Sequence, residues 1–402
     1  MKKILFYCQN LLGVGHLVRT TELIRALAKD FQVCLIDGGQ KIAGFELPPS
    51  VAVVQLPILQ VVVSESNQVS KQLQVVGSTM TLAEAKECRK QLLIQTYDQF
   101  QPDCLITEGY PFSKKMALAF EMEPLLAHVK QSGYPTQIIC SLRDIIMVKE
   151  FTDRTWEEQR RCAFTDQYYD AILLHSDPLV HRFEHNLTQQ VDLNCPIHYT
   201  GYVVQSEPDV ELPVADRTLL NHPAPTIVVS VGGGRLGHDL LESMIQAAPL
   251  LAEKIPHRII MFAGPLMEEA QYDRFMQYSQ GLSNLTLRRF TPNLMAFLQQ
   301  ADLSISLGGY NTTMNLLKTG VRAMIYPSNK DREQAIRAEK LERLNLLKVL
   351  DPEDLEPTHL AQAIVNYLTQ APTSHPHSLL LNGAQKASTI LQTLLQPDLV
   401  AA

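Results

Sequence analysis

Several short stretches of this chain combine residue types and spacings suited to holding an anion or moving a proton. Gly308-Gly309 interrupt an apolar run, and Asn311, Thr312 and Thr313 follow in what reads as the first turn of a helix. Paired glycines admit a ligand close to the backbone, and a fresh helix end offers unpaired N–H groups and partial positive charge. That combination suits a phosphate or diphosphate. Gly232-Gly233-Gly234-Arg235 repeat the theme after another apolar run, with Arg235 able to add charge-assisted bonds. A plain tight turn is the other reading of that run, and the Gly-Lys-Ser/Thr of a Walker A loop is absent. A third loop, Gly13-Val14-Gly15-His16, leads into Arg19 and offers His16 as a general base toward a hydroxyl. A helix cap or a bond to a backbone carbonyl explains His16 equally well. The third glycine and the ribose acid of a dinucleotide fingerprint are both missing, so NAD binding is weakly supported.

Acidic candidates are Glu108 and Asp144, each ending a strand-like run, and either could orient a base or hold an acceptor. Arg143-Asp144 reads slightly better as a local ion pair, and Asp37 shares that ambiguity. His175, His181 and His185 surround one stretch without a second cluster to complete a metal set, and are read as surface or packing histidines.

These residues need rigid elements to hold them, and the chain supplies a regular alternation. Strand-like runs are Ile4–Cys8, Val33–Asp37, Val51–Leu56, Cys104–Glu108, Gln137–Leu142 and Ala171–His175, with helical stretches such as Leu17–Lys29 and Leu82–Phe100 between them. Such alternation implies parallel strands with crossover helices, and continuous apolar strands imply a sheet covered on both faces. Gln60–Met80 has no clear period and reads as a long excursion without regular structure. Val203–Pro225 has the proline-rich, polar composition of a linker. The alternation then restarts with Thr226–Val231, His257–Ala263, Leu285–Phe290, Leu303–Leu307, Arg322–Tyr326 and Leu347–Leu350. Gly320 is placed to cap the helix after Gly309, and the polar run Lys330–Gln334 follows Pro327, at a strand end where open α/β sheets bind ligands. The predicted organisation is α/β: residues 1–202, a linker 203–225, residues 226–376, and a tail helix within 377–402 carrying Ala387, Ile390, Leu391, Leu394 and Leu395. Two such halves imply a ligand cleft between them.

A chain of 402 residues exceeds what one core usually supports. Its 46% hydrophobic content, net charge of -7 and pI near 6.0 argue against a dedicated nucleic-acid binder. No apolar run is long enough to span a membrane and the start lacks a signal peptide, so a cytoplasmic protein is expected. Seven scattered cysteines without a CxxC pair fit a reducing compartment better than a disulfide or zinc framework.

Leu303–Gln334 resembles the C-terminal donor segment of GT-B glycosyltransferases related to the N-acetylglucosaminyltransferase that makes lipid II. The first half resembles a branch of bacterial predicted glycosyltransferases through Gly13-x-Gly15-His16-Leu17-x-Arg19-Thr20, Gly44-Phe45-x-Leu47-Pro48-Pro49, Leu142-Arg143-Asp144-Ile145 and Thr200-Gly201-Tyr202-Val203. The resemblance implies two Rossmann-like domains facing across a cleft. It implies an acceptor on the N-terminal side, where Gly13, Gly15, Arg19, Arg143 and Asp144 lie, and a nucleotide-sugar on the C-terminal side. It further implies inverting transfer without a metal or cofactor, the nucleotide-sugar being a substrate, UDP-linked in this family. His16 matches the family's loop histidine, the candidate base, with Glu108 behind it. Gly232, Gly233, Gly308 and Gly309 match the phosphate turns, with Gly234, Arg235, Asn311 and Thr312 beside them, and Gln334 matches a donor-sugar contact. Where the family has a ribose-binding Glu this chain has Asn315, which can bond a hydroxyl but without the strength of a carboxylate. The expected partners are a donor and a small or lipid-linked acceptor, with peripheral contact at the inner membrane face left open. A nucleotide-sugar 2-epimerase or hydrolase, or a non-catalytic nucleotide-sugar binder, would suit the same fold.

Overall fold

A computed structural model describes residues 1–9, 14–40, 46–63, 71–112, 116–147, 151–188, 191–206, 212–221, 223–328, 332–370 and 378–396. The chain divides into two compact units, Met1–Val203 with Leu379–Ala402, and Val204–Ser378.

The first unit runs β1 (Lys3–Cys8), α1 (Val14–Leu27), β2 (Gln32–Asp37), β3 (Ala52–Gln55), β4 (Leu59–Val63), β5 (Lys71–Val75), α2 (Leu82–Phe100), β6 (Cys104–Glu108), α3 (Ala119–Gln131), β7 (Gln137–Arg143), α4 (Arg154–Tyr168), β8 (Ala171–His175) and β9 (Ile197–Tyr199). Seven strands form a parallel sheet in the order β3-β2-β1-β6-β7-β8-β9. In register, Ile4 lies beside Val33 on one side and Cys104 on the other. The central strands are buried along nearly their whole length, and their side chains feed two cores, one on each face of the sheet. That is why they read as unbroken apolar runs rather than as alternating ones. α2 begins where the sequence says a helix should. Thr81 accepts from the Glu84 N–H at 3.3 Å while the Glu84 carboxylate accepts from the Thr81 N–H at 2.8 Å.

The stretch expected to be irregular is not so in its described part. β4 and β5 pair antiparallel as a two-stranded sheet, Leu59 opposite Val75 and Val63 opposite Lys71. The short edge strand β9 also lay outside the sequence expectation.

The second unit runs α5 (Val214–Leu220), β10 (Thr226–Ser230), α6 (His238–Ala252), β11 (Arg258–Phe262), α7 (Glu269–Ser279), β12 (Leu285–Arg288), α8 (Leu294–Gln300), β13 (Leu303–Leu307), α9 (Tyr310–Thr319), β14 (Ala323–Tyr326), α10 (Arg332–Arg343), β15 (Lys348–Val349) and α11 (Pro357–Thr369). Its sheet is parallel in the order β12-β11-β10-β13-β14-β15. Within the proline-rich stretch read as a linker, α5 is tied to this unit: Asp216 is buried and accepts from Thr291 and Asn293 and pairs with Arg288.

The tail helix α12 (Gly383–Leu395) belongs to the first unit. Ala384, Ala387, Leu391 and Leu395 join Leu23, Ile24 and Leu27 in its core, and Ser388 Oγ donates to Asp30 at 2.7 Å. Each leucine buried there contributes about 1.5–3 kcal/mol. Gly201 makes the docking possible. It has φ +79, and a Cβ there would lie 2.6 Å from Leu380.

Candidate functional site

In both sheets the strand order reverses once beside the first strand, between β1 and β6 in one unit and between β10 and β13 in the other. Open α/β sheets bind ligands outside the carboxyl ends of the strands at such a point. The sequence candidates gather there in each unit.

In the first unit, Glu108 is the last residue of β6 and is 1% exposed. His16 and Arg19 stand three residues apart on α1, and so project from one helix face. His16 Nδ1 meets Glu108 Oε1 at 2.8 Å, and the Arg19 guanidinium pairs with the same oxygen. The Cys8 thiol lies 3.6 Å from Glu108 Oε2, and the Gln9 amide donates to the Glu108 carbonyl at 3.1 Å. Burial pushes the Glu108 carboxyl up, but the charges of His16, Arg19 and Arg143 and the bond from His16 overcome it and hold the group at about 2. When the His16 ring is neutral, an ionised carboxylate there makes Nδ1 the N–H donor and leaves the lone pair on Nε2, the arrangement of an oriented general base.

Gly15 lies inside the first turn of α1 rather than in the strand-to-helix turn expected for it, and Gly13 falls outside the described residues. Arg143 ends β7, where its charge acts on Glu108. Asp144 is buried beside it, with its carbonyl accepting from Asn186 at 3.1 Å. Asp37 ends β2 and accepts from the Gly39 N–H at 2.9 Å. His175 is fully buried, its ring bonded to Ser141 Oγ at 2.8 Å and Thr200 Oγ1 at 2.9 Å. Burial, reinforced by the Arg19 charge, depresses it to about 3, so this ring is neutral. Among the described residues no group of three His, Cys, Asp or Glu is placed to hold a metal ion.

In the second unit, Gly232 and Gly234 adopt φ +63 and +88, and Gly309 is the N-cap of α9 with no side-chain cap. The N–H groups of Gly232, Gly233 and Gly309 have no acceptor among the described residues. Arg235 is exposed beside them. Asn311 and Thr312 lie half-buried in the first turn of α9, and Gly320 ends that helix at φ +67. Gln334 packs against Gly308, where a Cβ would lie 3.2 Å from its own Cβ, and its side chain accepts from the Ser328 N–H at 3.2 Å. Asn315 is buried, bonded to Gln205.

Two supports of this site were not found by sequence reasoning. Gly264, at the end of β11, packs backbone against backbone on the glycine turn. A Cβ on Gly264 would lie 2.3 Å from the Gly234 nitrogen. The signal was present as a strand followed by Gly264-Pro265. His238 Nε2 donates to the Gly234 carbonyl at 3.0 Å, and the Leu266 N–H donates to the Gly233 carbonyl at 2.9 Å. Carbonyl and N–H point oppositely across a trans peptide, so tying these oxygens back turns the amides of Gly234 and Arg235 the other way.

Two parallel-sheet α/β units, each with its polar groups at the switch point, define a protein of GT-B fold. Residues 226–392 match the glycosyltransferase family 28 C-terminal domain, and the chain resembles the lipid II-forming glycosyltransferases. The UDP-N-acetylglucosamine--N-acetylmuramyl-(pentapeptide) pyrophosphoryl-undecaprenol N-acetylglucosamine transferase of Haemophilus influenzae is 26% identical over 181 residues, 45% of this chain. The chain spans about half the length of that relative, 48%. An uncharacterized glycosyltransferase of Methanosarcina acetivorans is 23% identical over 85% of this chain and 83% of its own. Among solved structures, the kitacinnamycin glycotransferase superposes with a TM-score of 0.62 at 14% identity, over 98% of this chain and 99% of that one. Among the described residues no helix is long and apolar enough to cross a membrane.

Proposed function

We propose that this chain transfers a sugar from a nucleoside diphosphate, UDP by its resemblance, to a hydroxyl of a small or lipid-linked acceptor, with inversion and without a metal or cofactor. The observation that carries this reading is the His16–Glu108 pair at the first switch point. His16 Nε2 takes the acceptor proton as the acceptor oxygen attacks the anomeric carbon. The bond from that carbon to the diphosphate breaks on the opposite side. Charge gathering on the leaving diphosphate is met by the amides of Gly232, Gly233 and Gly309, by the α9 N-terminus and by Arg235, an electrostatic effect that is usually the largest in such catalysis. The lipid-linked acceptor is suggested by the Haemophilus relative, whose name specifies an undecaprenol-linked substrate.

A thermal-shift panel of UDP, GDP and dTDP tests the donor. UDP at a hundred times its Kd should stabilise the protein by about 2.7 kcal/mol, with the other two shifting the melting temperature less. A larger shift from GDP or dTDP would reassign the base. Turnover of a UDP-sugar with no acceptor present would replace transfer by epimerisation or hydrolysis.

Two glycines separate ligand contact from folding. Gly309 has φ −62 and open space where a Cβ would go, so Gly309→Ala should leave the melting temperature unchanged while weakening UDP binding. At Gly234, φ is +88 and a Cβ would lie 2.5 Å from the Ala263 carbonyl. Gly234→Ala should therefore lower both stability and UDP affinity. Unaltered UDP affinity in both variants would move the diphosphate elsewhere.

A further inference from the structure

The amide of Asn315 is oriented by a chain of bonds that starts at a backbone carbonyl. Pro292 C=O can only accept, so the end of the Gln205 side chain that meets it at 3.2 Å must be Nε2. Gln205 then turns Oε1 toward Asn315, and Asn315 must answer with Nδ2, at 3.3 Å. The remaining atom, Asn315 Oδ1, is buried and has no hydrogen-bond partner, on a side chain that is only 2% exposed. The two ends of a side-chain amide are otherwise nearly interchangeable in shape, and here the order of donors and acceptors along the chain settles which way each one faces. What is left over is an acceptor, so the group that completes it is a donor, which a hydroxyl is and an ionised phosphate oxygen is not.

We propose that Gln205 is a positioning residue that fixes Asn315 as an acceptor for a ligand hydroxyl. Resting on the nucleotide-sugar reading above, that hydroxyl belongs to the ribose of the donor. An aspartate at 315 would set oxygen against Gln205 Oε1. The conflict is relieved only if Gln205 turns over and gives up Pro292.

The test titrates UDP, 2′-deoxy-UDP and 3′-deoxy-UDP into the full chain by calorimetry. The unmodified protein should prefer UDP over one of the deoxy compounds by about five-fold, the worth of a neutral hydrogen bond. Gln205→Met, close in shape but without polarity, should shrink that preference towards unity and leave the deoxy affinity unchanged. Gln205→Glu still presents acceptors to Asn315, though it gives up the bond to Pro292, and should keep more of the preference than Gln205→Met does, whereas a merely space-filling role would treat the two alike. Asn315→Asp should weaken UDP binding, and does so independently of whether Gln205→Met folds. An unchanged preference in Gln205→Met, a preference no greater in Gln205→Glu than in Gln205→Met, or tighter UDP binding by Asn315→Asp overturns the relay. Failure of the unmodified protein to bind any of the three overturns the nucleotide-sugar reading itself, and the relay's ligand with it.

Discussion

His16→Ala is expected to lower the transfer rate by about 10²–10⁴-fold, the usual worth of a positioned general base, while UDP binds as before. The two halves of this expectation come from different places in the molecule. The proposed base belongs to the unit built on β1 and β6, whereas the amides proposed for the diphosphate belong to the unit built on β10 and β13. Removing the imidazole also leaves the Arg19–Glu108 pair in place, so the fold keeps its buried charges matched. The loss should appear in kcat more than in UDP affinity, because proton removal is needed in the transition state and contributes little to donor binding. The pair of measurements is steady-state transfer and calorimetric UDP binding. A variant that transfers at the original rate removes His16 from the chemistry. One that loses UDP affinity in step with the rate puts the ring on the phosphates instead.

The parts of this site that could be read from the sequence are those set by local chain chemistry. Buried parallel strands announce themselves as short apolar runs, which is why Cys104–Glu108 and Leu303–Leu307 were found at their observed bounds. A Thr81–Glu84 box starts α2 at the expected residue, and glycines after β10 and β13 mark the turns at those strand ends. The parts that could not be read are set by contacts between distant residues. Gln205 is one polar residue in a proline-rich stretch until Pro292 and Asn315 give its amide a direction. His238 looks like a helix-start residue, and only the fold shows its ring on the Gly234 carbonyl. The β4–β5 pair carries no short turn signal, and three-residue β9 is too short to show a period. Glu108 was legible as a strand-end acid, but its pairing with Arg19 as well as His16 depends on how α1 lies across β6.

That shared pairing makes Glu108→Gln a strongly disruptive substitution. Gln keeps the shape and an oxygen for His16, but it removes the negative charge from beside a guanidinium that is itself 3% exposed. Taking one partner from a buried ion pair costs about 3–5 kcal/mol, because the other charge stays out of water. For a unit of this size that is a fall in melting temperature of roughly 6–20 °C, with transfer reduced as well because the His16 ring loses the anion that holds its tautomer. The acid dependence of stability supplies an independent check with a definite sign. The Glu108 carboxyl titrates at about 2 in the folded chain against an ordinary 4.5, so it is depressed by folding. A depressed carboxylate contributes stability above its unfolded value, and that contribution, roughly 3 kcal/mol, is lost as the pH falls from about 4.5 toward 2. The unmodified protein should therefore lose stability faster than Glu108→Gln across that window, since the amide has no proton to take up. Parallel pH dependences of melting temperature for the two proteins from pH 5 to pH 3 would show that folding does not depress the Glu108 carboxyl, and a relative gain by the unmodified protein as the pH falls would show a raised one, which would remove the anion on which the orientation of His16 depends.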